Sequence, residues 1–187
     1  ETLTAAKLAG LNVKNIVNEP TAAALYYVFQ SGGGMSGNYA VYDLGGGTFD
    51  ISIIQVENQN ITVLASEGVK KLGGDDFDAA LQQIVQKKYK ESTNEDLDIQ
   101  KIYTKTDAEE DKKSLSKRKD VNVRVEKTNI KLSRDEFEKE ISSLLAQTEM
   151  LCENAIEEAG LKLKDIKDVL LVGGSTRVPC VTESVKK

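Results

Sequence analysis

The stretch Asp43-Leu44-Gly45-Gly46-Gly47-Thr48-Phe49-Asp50 joins two segments rich in β-branched and aromatic residues, Tyr39 to Leu44 before it and Phe49 to Val56 after it. That pattern predicts two strands joined by a glycine turn. Consecutive glycines let backbone N–H groups turn toward one point with no Cβ in the way, which makes an anion cradle. Thr48 adds a hydroxyl for a phosphate oxygen, and Asp43, at a strand end, is placed to hold Mg²⁺ through its waters. A Rossmann site is disfavoured, because there the glycines open a helix, whereas here a β-branched strand follows. The plainer alternative is a hairpin with a loose turn.

Outward from this hairpin, Ile61 to Ala65 predicts a third strand of the meander, and Val13 to Val17 reads as strand-like. Leu3 to Leu11 reads as a short helix stopped at Gly10, and Asn18-Glu19-Pro20-Thr21 as a helix start, since Pro suits the first turn. Ser31-Gly32-Gly33-Gly34-Met35-Ser36-Gly37 is the clearest breaker, a hinge or subdomain boundary. Gly73-Gly74-Asp75-Asp76-Phe77-Asp78 opens a helix to about Lys90, with acids first and lysines last as the macrodipole favours. The charged stretch Glu91 to Lys119 holds an exposed helix at Asp107 to Leu115. Val121 to Val125 alternates as a half-buried strand, with Ile130 to Leu132 as its partner. Ser133-Arg134-Asp135-Glu136 is a capping box for one long amphipathic helix, Phe137 to Ala159, closed by Gly160. Asp165 to Asp168 reads as a turn, Val169 to Val172 as an apolar strand, and Gly173-Gly174-Ser175-Thr176-Arg177 as the lead into a final helix.

Composition narrows the chemistry. The 187 residues are 40% hydrophobic and 29% charged, enough for one compact domain or two small subdomains. Lys+Arg 25 against Asp+Glu 30 gives a formal charge of −5 without a long single-sign block, which argues against nucleic acid or an anionic membrane as the main partner. The absence of His excludes a His-based triad and a His-ligated metal. Two cysteines, Cys152 and Cys180, are too few for a disulfide framework and suggest a reducing compartment. No apolar run reaches the roughly 20 residues of a spanning helix. The chain opens with Glu1 inside a helical pattern, as expected for a piece of a longer protein.

Two further places can carry chemistry. In Val172-Gly173-Gly174-Ser175-Thr176-Arg177, paired glycines would let a ligand lie flat on backbone while the Arg177 guanidinium stacks on a purine face. The alternative is a tight strand-to-helix turn with a solvated Arg. Glu109, Lys112 and Ser116, at i, i+3 and i+7, fall on one helix face and could bond a nucleoside. Most such faces are solvated ion-pair surfaces. Glu19 reads as a helix cap and Gly73-Gly74 as a turn.

In order along the chain, Asn18 to Ala24, Ala40 to Asp50, Leu72 to Asp78 and Val169 to Pro179 together resemble the ATPase domain of the seventy-kilodalton heat-shock chaperones, the DnaK-type family. The bacterial and organellar branch is the most similar, chiefly over Tyr39 to Ile54. The resemblance implies an α/β, actin-like (ribonuclease-H-like) ATPase fold in which ATP lies between two lobes. This chain would be the second lobe, preceded by the last helix of the first. Residues 1–34 would be the end of the first lobe and the crossing helix, 35–72 with 142–187 the inner subdomain, and 73–141 the outer one. Gly45, Gly46, Gly47 and Thr48 match the family's second phosphate hairpin, and Asp43 its magnesium-associated aspartate. Glu19 matches the catalytic-region glutamate, Pro20 the proposed switch proline, and Gly73 and Gly74 the phosphate-approaching pair. Glu109, Lys112 and Ser116 match the adenosine-contacting trio, and Gly173, Gly174, Ser175 and Arg177 the adenine-side loop. Lys113 stands where many relatives carry a second arginine against the adenine. Ile102-Tyr103-Thr104 lacks the usual arginine-leucine pair.

The resemblance implies ATP/ADP and Mg²⁺ as cofactors, and an ATP-driven chaperone as the parent protein, cytoplasmic or in a mitochondrial matrix or other organelle lumen. Its expected partners are the first lobe and substrate-binding domain of the parent chain, a J-domain co-chaperone, a nucleotide-exchange factor and unfolded client peptides. The fragment alone is expected to bind nucleotide weakly and not to turn it over. Alternatives of the same fold are a sugar kinase or actin-like filament protein; another class is a non-catalytic docking module for an exchange factor. The physical core of this expectation is that two glycine bends, far apart in the chain, converge on one cleft.

Overall fold

The computed structural model describes residues 1–30, 32, 35–57 and 60–186. Ser31, Gly33 and Gly34, within the expected hinge, lie outside the described residues. The glycine hairpin forms as expected: β1 (Gly37–Leu44) and β2 (Thr48–Glu57) pair antiparallel, with Asp43 opposite Asp50 and Leu44 opposite Phe49. The third strand, β3 (Asn60–Lys70), runs well past Ala65 because Ser66 to Lys70 continue to pair with β2 up to Thr48. Downstream, a 3₁₀ turn at Leu163–Asp165 ends where β6 (Ile166–Val172) begins, so the expected turn over Asp165 to Asp168 is mostly strand. β6 lies parallel to β1, giving a mixed sheet of order β3-β2-β1-β6.

This order decides where the two glycine bends go. Gly45 to Gly47 follow β1 and Gly173-Gly174 follow β6, and parallel neighbours release their carboxyl ends at the same sheet edge. Ligand sites in open α/β sheets form outside that edge.

Strand alternation gives the sheet two apolar faces. One carries Tyr42, Leu44, Phe49, Ile51 and Ile53, all buried, with the Tyr42 and Phe49 rings 4.6 Å apart. The Tyr42 hydroxyl donates to Thr148 Oγ1 at 2.8 Å, tying this face to α7 (Ser142–Glu158). Tyr39, Val41, Ile54 and Val56 point the other way, against Ala24 and Val28 of α2 (Glu19–Gln30). The first residue of α2, Glu19, lines the same cavity as Asp43 and Asp50 at the hairpin end of the sheet.

Beyond the sheet, α3 (Gly74–Thr93), the short α4 (Ile99–Ile102) and α5 (Lys105–Leu115) pack with a two-stranded ladder, β4 (Asp120–Val125) and β5 (Thr128–Ser133). Phe77 of α3 meets Phe137 of α6 (Arg134–Glu140) edge-on, with ring centroids 6.3 Å apart. Thr104 caps α5, and its box partner Asp107 accepts from the Thr104 N–H and hydroxyl. The helix expected to be exposed is in fact half-buried, through Ala108, Lys112 and Leu115.

Two further expectations change. Val13 to Val17 is not a strand. The first helix is α1 (Thr2–Leu8), and after it Ile16 and Val17 face solvent with no strand beside them among the described residues, so the backbone has no ladder to join. The long helix from Phe137 to Ala159 is interrupted at Ile141, which is fully buried with φ −88° and ψ 1°. A straight helix cannot serve both surfaces involved: α6 packs on α3 and β5, whereas α7 packs on β2 and β3. The start is as expected, with Ser133 capping α6 in a box with Glu136. Helix α8 (Pro179–Val185) follows the 3₁₀ turn at Gly174–Arg177 and closes the fold.

Candidate functional site

The hairpin glycines are held from behind. The Gly45 carbonyl accepts the Gly74 N–H at 3.0 Å and the Ser175 hydroxyl at 2.8 Å. The Gly46 carbonyl accepts the Asp75 N–H at 2.7 Å, and the Gly47 carbonyl the Lys71 N–H at 3.0 Å. In a planar trans peptide the N–H points opposite the preceding carbonyl. Three anchored carbonyls therefore turn the N–H groups of Gly46, Gly47 and Thr48 to the open side of the hairpin. Those of Gly46 and Gly47 have no protein partner among the described residues. The result is a preformed set of backbone donors, the arrangement that binds anions.

The glycines divide by what a side chain would meet. A Cβ on Gly73 would lie 2.6 Å from the Gly46 carbonyl oxygen, and one on Gly74 2.7 Å from Ser175 Oγ. Gly173, at φ +89°, would put its Cβ 2.2 Å from the Leu44 carbonyl oxygen. These positions need glycine for the fold. Gly47 and Gly174 have nothing within 4 Å of a Cβ, and Gly46 only Asp75 Oδ1 at 3.9 Å. Nothing in the protein requires glycine at these three positions, which leaves room for a ligand to approach the backbone.

Gly46 and Gly174 line one cleft of about 440 Å³, a size suited to a small organic ligand. Glu109, Lys112, Lys113 and Ser116 come from α5 and its cap, Ser175 and Arg177 from the turn after β6, and Gly74 from the start of α3. Lys112 is committed. Its Nζ forms an ion pair with Asp78 Oδ1 at 2.7 Å and donates to the Gly74 carbonyl at 2.8 Å. Burial raises the Asp78 carboxyl, and Lys112 opposes that rise. Glu109 pairs with Lys113 at 2.7 Å, and that lysine holds the Glu109 carboxyl below the usual range. Ser116 donates to its own helix, at the Lys112 carbonyl. Arg177 is exposed and makes no hydrogen bond or ion pair among the described residues, so its guanidinium is available.

On the other side of the hairpin lies a cavity of about 590 Å³, lined by Glu19, Asp43, Asp50, Ser52 and Ser66 among others. Burial, then the carboxylates of Glu19 and Asp50, hold Asp43 above the usual carboxylate range. Such a carboxylate gains from a nearby cation. No cluster of three or more metal-ligating side chains exists among the described residues. Asp43 therefore fits a hydrated Mg²⁺ approached through water better than a directly caged ion.

Most of the sequence-selected residues line one of these two cavities, Glu19 and Asp43 the second and the rest of them the first. Thr48 lines neither; it is exposed at the start of β2 opposite Lys70. Gly45, Gly47, Gly73 and Gly173 shape the hairpin without lining a cavity. Sequence reasoning missed Asp50, although counting back from the glycine turn places it directly across from Asp43. It also missed Asp75, Asp78 and Lys117 in the cleft. Lys117 was within reach, since it continues the helical spacing of Lys113 by one turn.

With this geometry in place, the comparisons with known proteins are specific. The family model described as Hsp70 protein matches residues 1–187. A chaperone protein HscA homolog of Histophilus somni is 41% identical over 97% of this chain and 29% of its own length. The mitochondrial heat shock 70 kDa protein of Solanum tuberosum is 40% identical over 98% of this chain and 28% of its own. Chaperone protein HscA of an Enterobacter species is 42% identical over 97% of this chain and 29% of its own. The chain thus spans under a third of the length of the curated relatives it matches.

Proposed function

This chain belongs to the Hsp70 protein family, and on that premise we propose that it is the second lobe of an ATP-driven chaperone's nucleotide-binding domain. Its mixed sheet flanked by helices is the actin-like arrangement of that family. One observation carries the reading: Gly46, from the hairpin after β1, and Gly174, from the turn after β6, line the same cleft as Glu109, Lys112, Ser116 and Arg177.

In this reading the cleft takes the adenosine of ATP or ADP. Arg177 lies along the base, the Glu109 carboxylate and the Ser116 oxygen accept from the ribose hydroxyls, and Lys112 Nζ donates to a ring nitrogen. The N–H groups of Gly46, Gly47 and Thr48 receive the phosphates and stabilise charge that moves onto them during in-line attack by water. Mg²⁺, when bound, neutralises phosphate charge. Asp43 orients water beside it, and Glu19 and Asp50 keep the local field negative. Thr48 offers its hydroxyl to a phosphate oxygen. Gly73 and Gly74 bring the start of α3 up behind the hairpin.

The parent protein would complete the phosphate clamp with its first lobe and couple lobe closure to a substrate-binding domain. A J-domain co-chaperone, an exchange factor and unfolded peptides would be its partners. Residues 35–72 and 142–187 would act as an inner body and 73–141 as an outer one. Family membership disfavours a sugar kinase or filament protein. No helix among the described residues is long and apolar enough to cross a membrane; the parent would work in the cytoplasm or, in line with the mitochondrial relative, in a mitochondrial matrix or other organelle lumen.

Calorimetry of the 187-residue chain with ADP, ATP and adenosine, beside a phosphate-release assay, tests this. Weak adenine-nucleotide binding strengthened by Mg²⁺, without turnover, is expected. No preference for adenine nucleotides, or robust hydrolysis by this chain, would overturn it.

A further inference from the structure

Ser175 lies in the turn that the resemblance assigns to the adenine. Its hydroxyl, however, points to the phosphate hairpin. Ser175 Oγ donates to the Gly45 carbonyl at 2.8 Å, across 130 positions of sequence. A serine hydroxyl has one proton, so that donor is spent and only acceptor capacity remains for a base. The side chain is fixed: Ser175 is 6% exposed, its carbonyl accepts the Val178 N–H at 3.2 Å, and Thr176 Oγ1 donates to the Gly173 carbonyl at 2.7 Å.

The same Gly45 oxygen accepts the Gly74 N–H at 3.0 Å, and the Gly74 carbonyl accepts Lys112 Nζ at 2.8 Å. Both lone pairs of one carbonyl are thus occupied, by donors from the turn after β6 and from the start of α3. That carbonyl belongs to the peptide whose N–H is Gly46's. Fixing the oxygen fixes the direction of the donor.

We propose that Ser175 is a positioning residue for the phosphate site: it braces the Gly45 carbonyl from behind and so aims the Gly46 N–H outward. This rests on the nucleotide reading above and assigns the serine to the phosphate end of the ligand. Without the hydroxyl, the Gly45–Gly46 peptide keeps only the Gly74 N–H and can rock about it.

The test uses the chain as wild type, Ser175→Ala and Ser175→Thr, the last retaining a hydroxyl. Without ligand, hydrogen exchange is read at the amides of Gly74, Asp75 and Lys71, which bond the hairpin carbonyls. Exchange there is expected to speed up about tenfold in Ser175→Ala, as the loss of one such bond implies, with the α7 amides unchanged and Ser175→Thr close to wild type. In calorimetry, Ser175→Ala should weaken ADP about tenfold and leave adenosine within twofold. Equal weakening of adenosine and ADP would make Ser175 a base contact and overturn the proposal, as would unchanged exchange in Ser175→Ala. If wild type binds neither ligand, the nucleotide reading falls by itself, and the exchange result still decides whether Ser175 braces the hairpin.

Discussion

Lys112 Nζ lies 2.7 Å from Asp78 Oδ1, and the two side chains are only 10% and 3% exposed. Removing one partner of a buried pair leaves the other charge uncompensated, at a cost of about 3–5 kcal/mol. Lys112→Met should therefore lower the urea midpoint severely, and Lys112→Met with Asp78→Leu should recover most of the loss. The pH profile carries the sign. Burial raises the Asp78 carboxyl in the folded state, so the folded chain binds a proton there more readily than the unfolded one. Its contribution is largest below the unfolded carboxylate value of about 3.9 and declines as pH rises through the folded value. Lys112→Met should steepen that decline between about pH 4 and 7, as read in denaturant melts across pH.

Gly73→Ala and Gly174→Ala should separate fold from ligand. The first places a methyl 2.6 Å from the Gly46 carbonyl oxygen and forces the hairpin away from α3; about 1–3 kcal/mol of stability should go with it. The second meets nothing within 4 Å. Its melting temperature should stay near wild type, while calorimetry shows ADP affinity reduced at least about tenfold, as for a methyl pushed between ligand and backbone. An equal loss of stability in both variants would place Gly174 in the folding machinery instead.

Asp43→Asn should stabilise the ligand-free chain and spoil its response to Mg²⁺. The carboxyl is held above its usual range by burial and by Glu19 and Asp50. As an acid raised in the folded state, it loses stabilising effect as pH climbs through the folded value. The neutral amide removes that slope. Partial solvent screening keeps the gain small, a rise in Tm of about 1–2 °C at neutral pH. In the same variant, Mg²⁺ should no longer tighten ADP binding in calorimetry.

Cys152 and Cys180 should resist alkylation while the chain is folded. Burial pushes both thiols up to about 12, with Glu149 next to raise Cys152 and Glu138 to raise Cys180. Only the thiolate reacts. Mass spectrometry after iodoacetamide at pH 8 should show neither modified, and both modified once urea unfolds the chain.

The local signals in the sequence were those of turns and caps. The glycine hairpin, the Ser133 box and the bend at Gly173-Gly174 stand where residue chemistry placed them, because each is settled within a few bonds. Val13 to Val17 misled because β-branched residues favour a ladder only when a neighbour supplies one. The break at Ile141 carries no glycine or proline; it answers to packing on two distant surfaces. Lys112 looked like part of a solvated charged face because Asp78, on another helix, is invisible to helical spacing. Asp50 needed only a count across the hairpin. Which of the two cavities each residue joins depends on the parallel pairing of β6 with β1, a long-range fact with no local signature.

The first thirty residues leave several large apolar side chains in water, with Leu8 85% and Phe29 84% exposed and Leu11, Ile16 and Tyr26 beside them in sequence. Unshielded oily surface of this kind seeks company. At millimolar concentration the purified chain should sediment faster than a monomer and bind a dye such as ANS, and trimming residues 1–18 should lessen both.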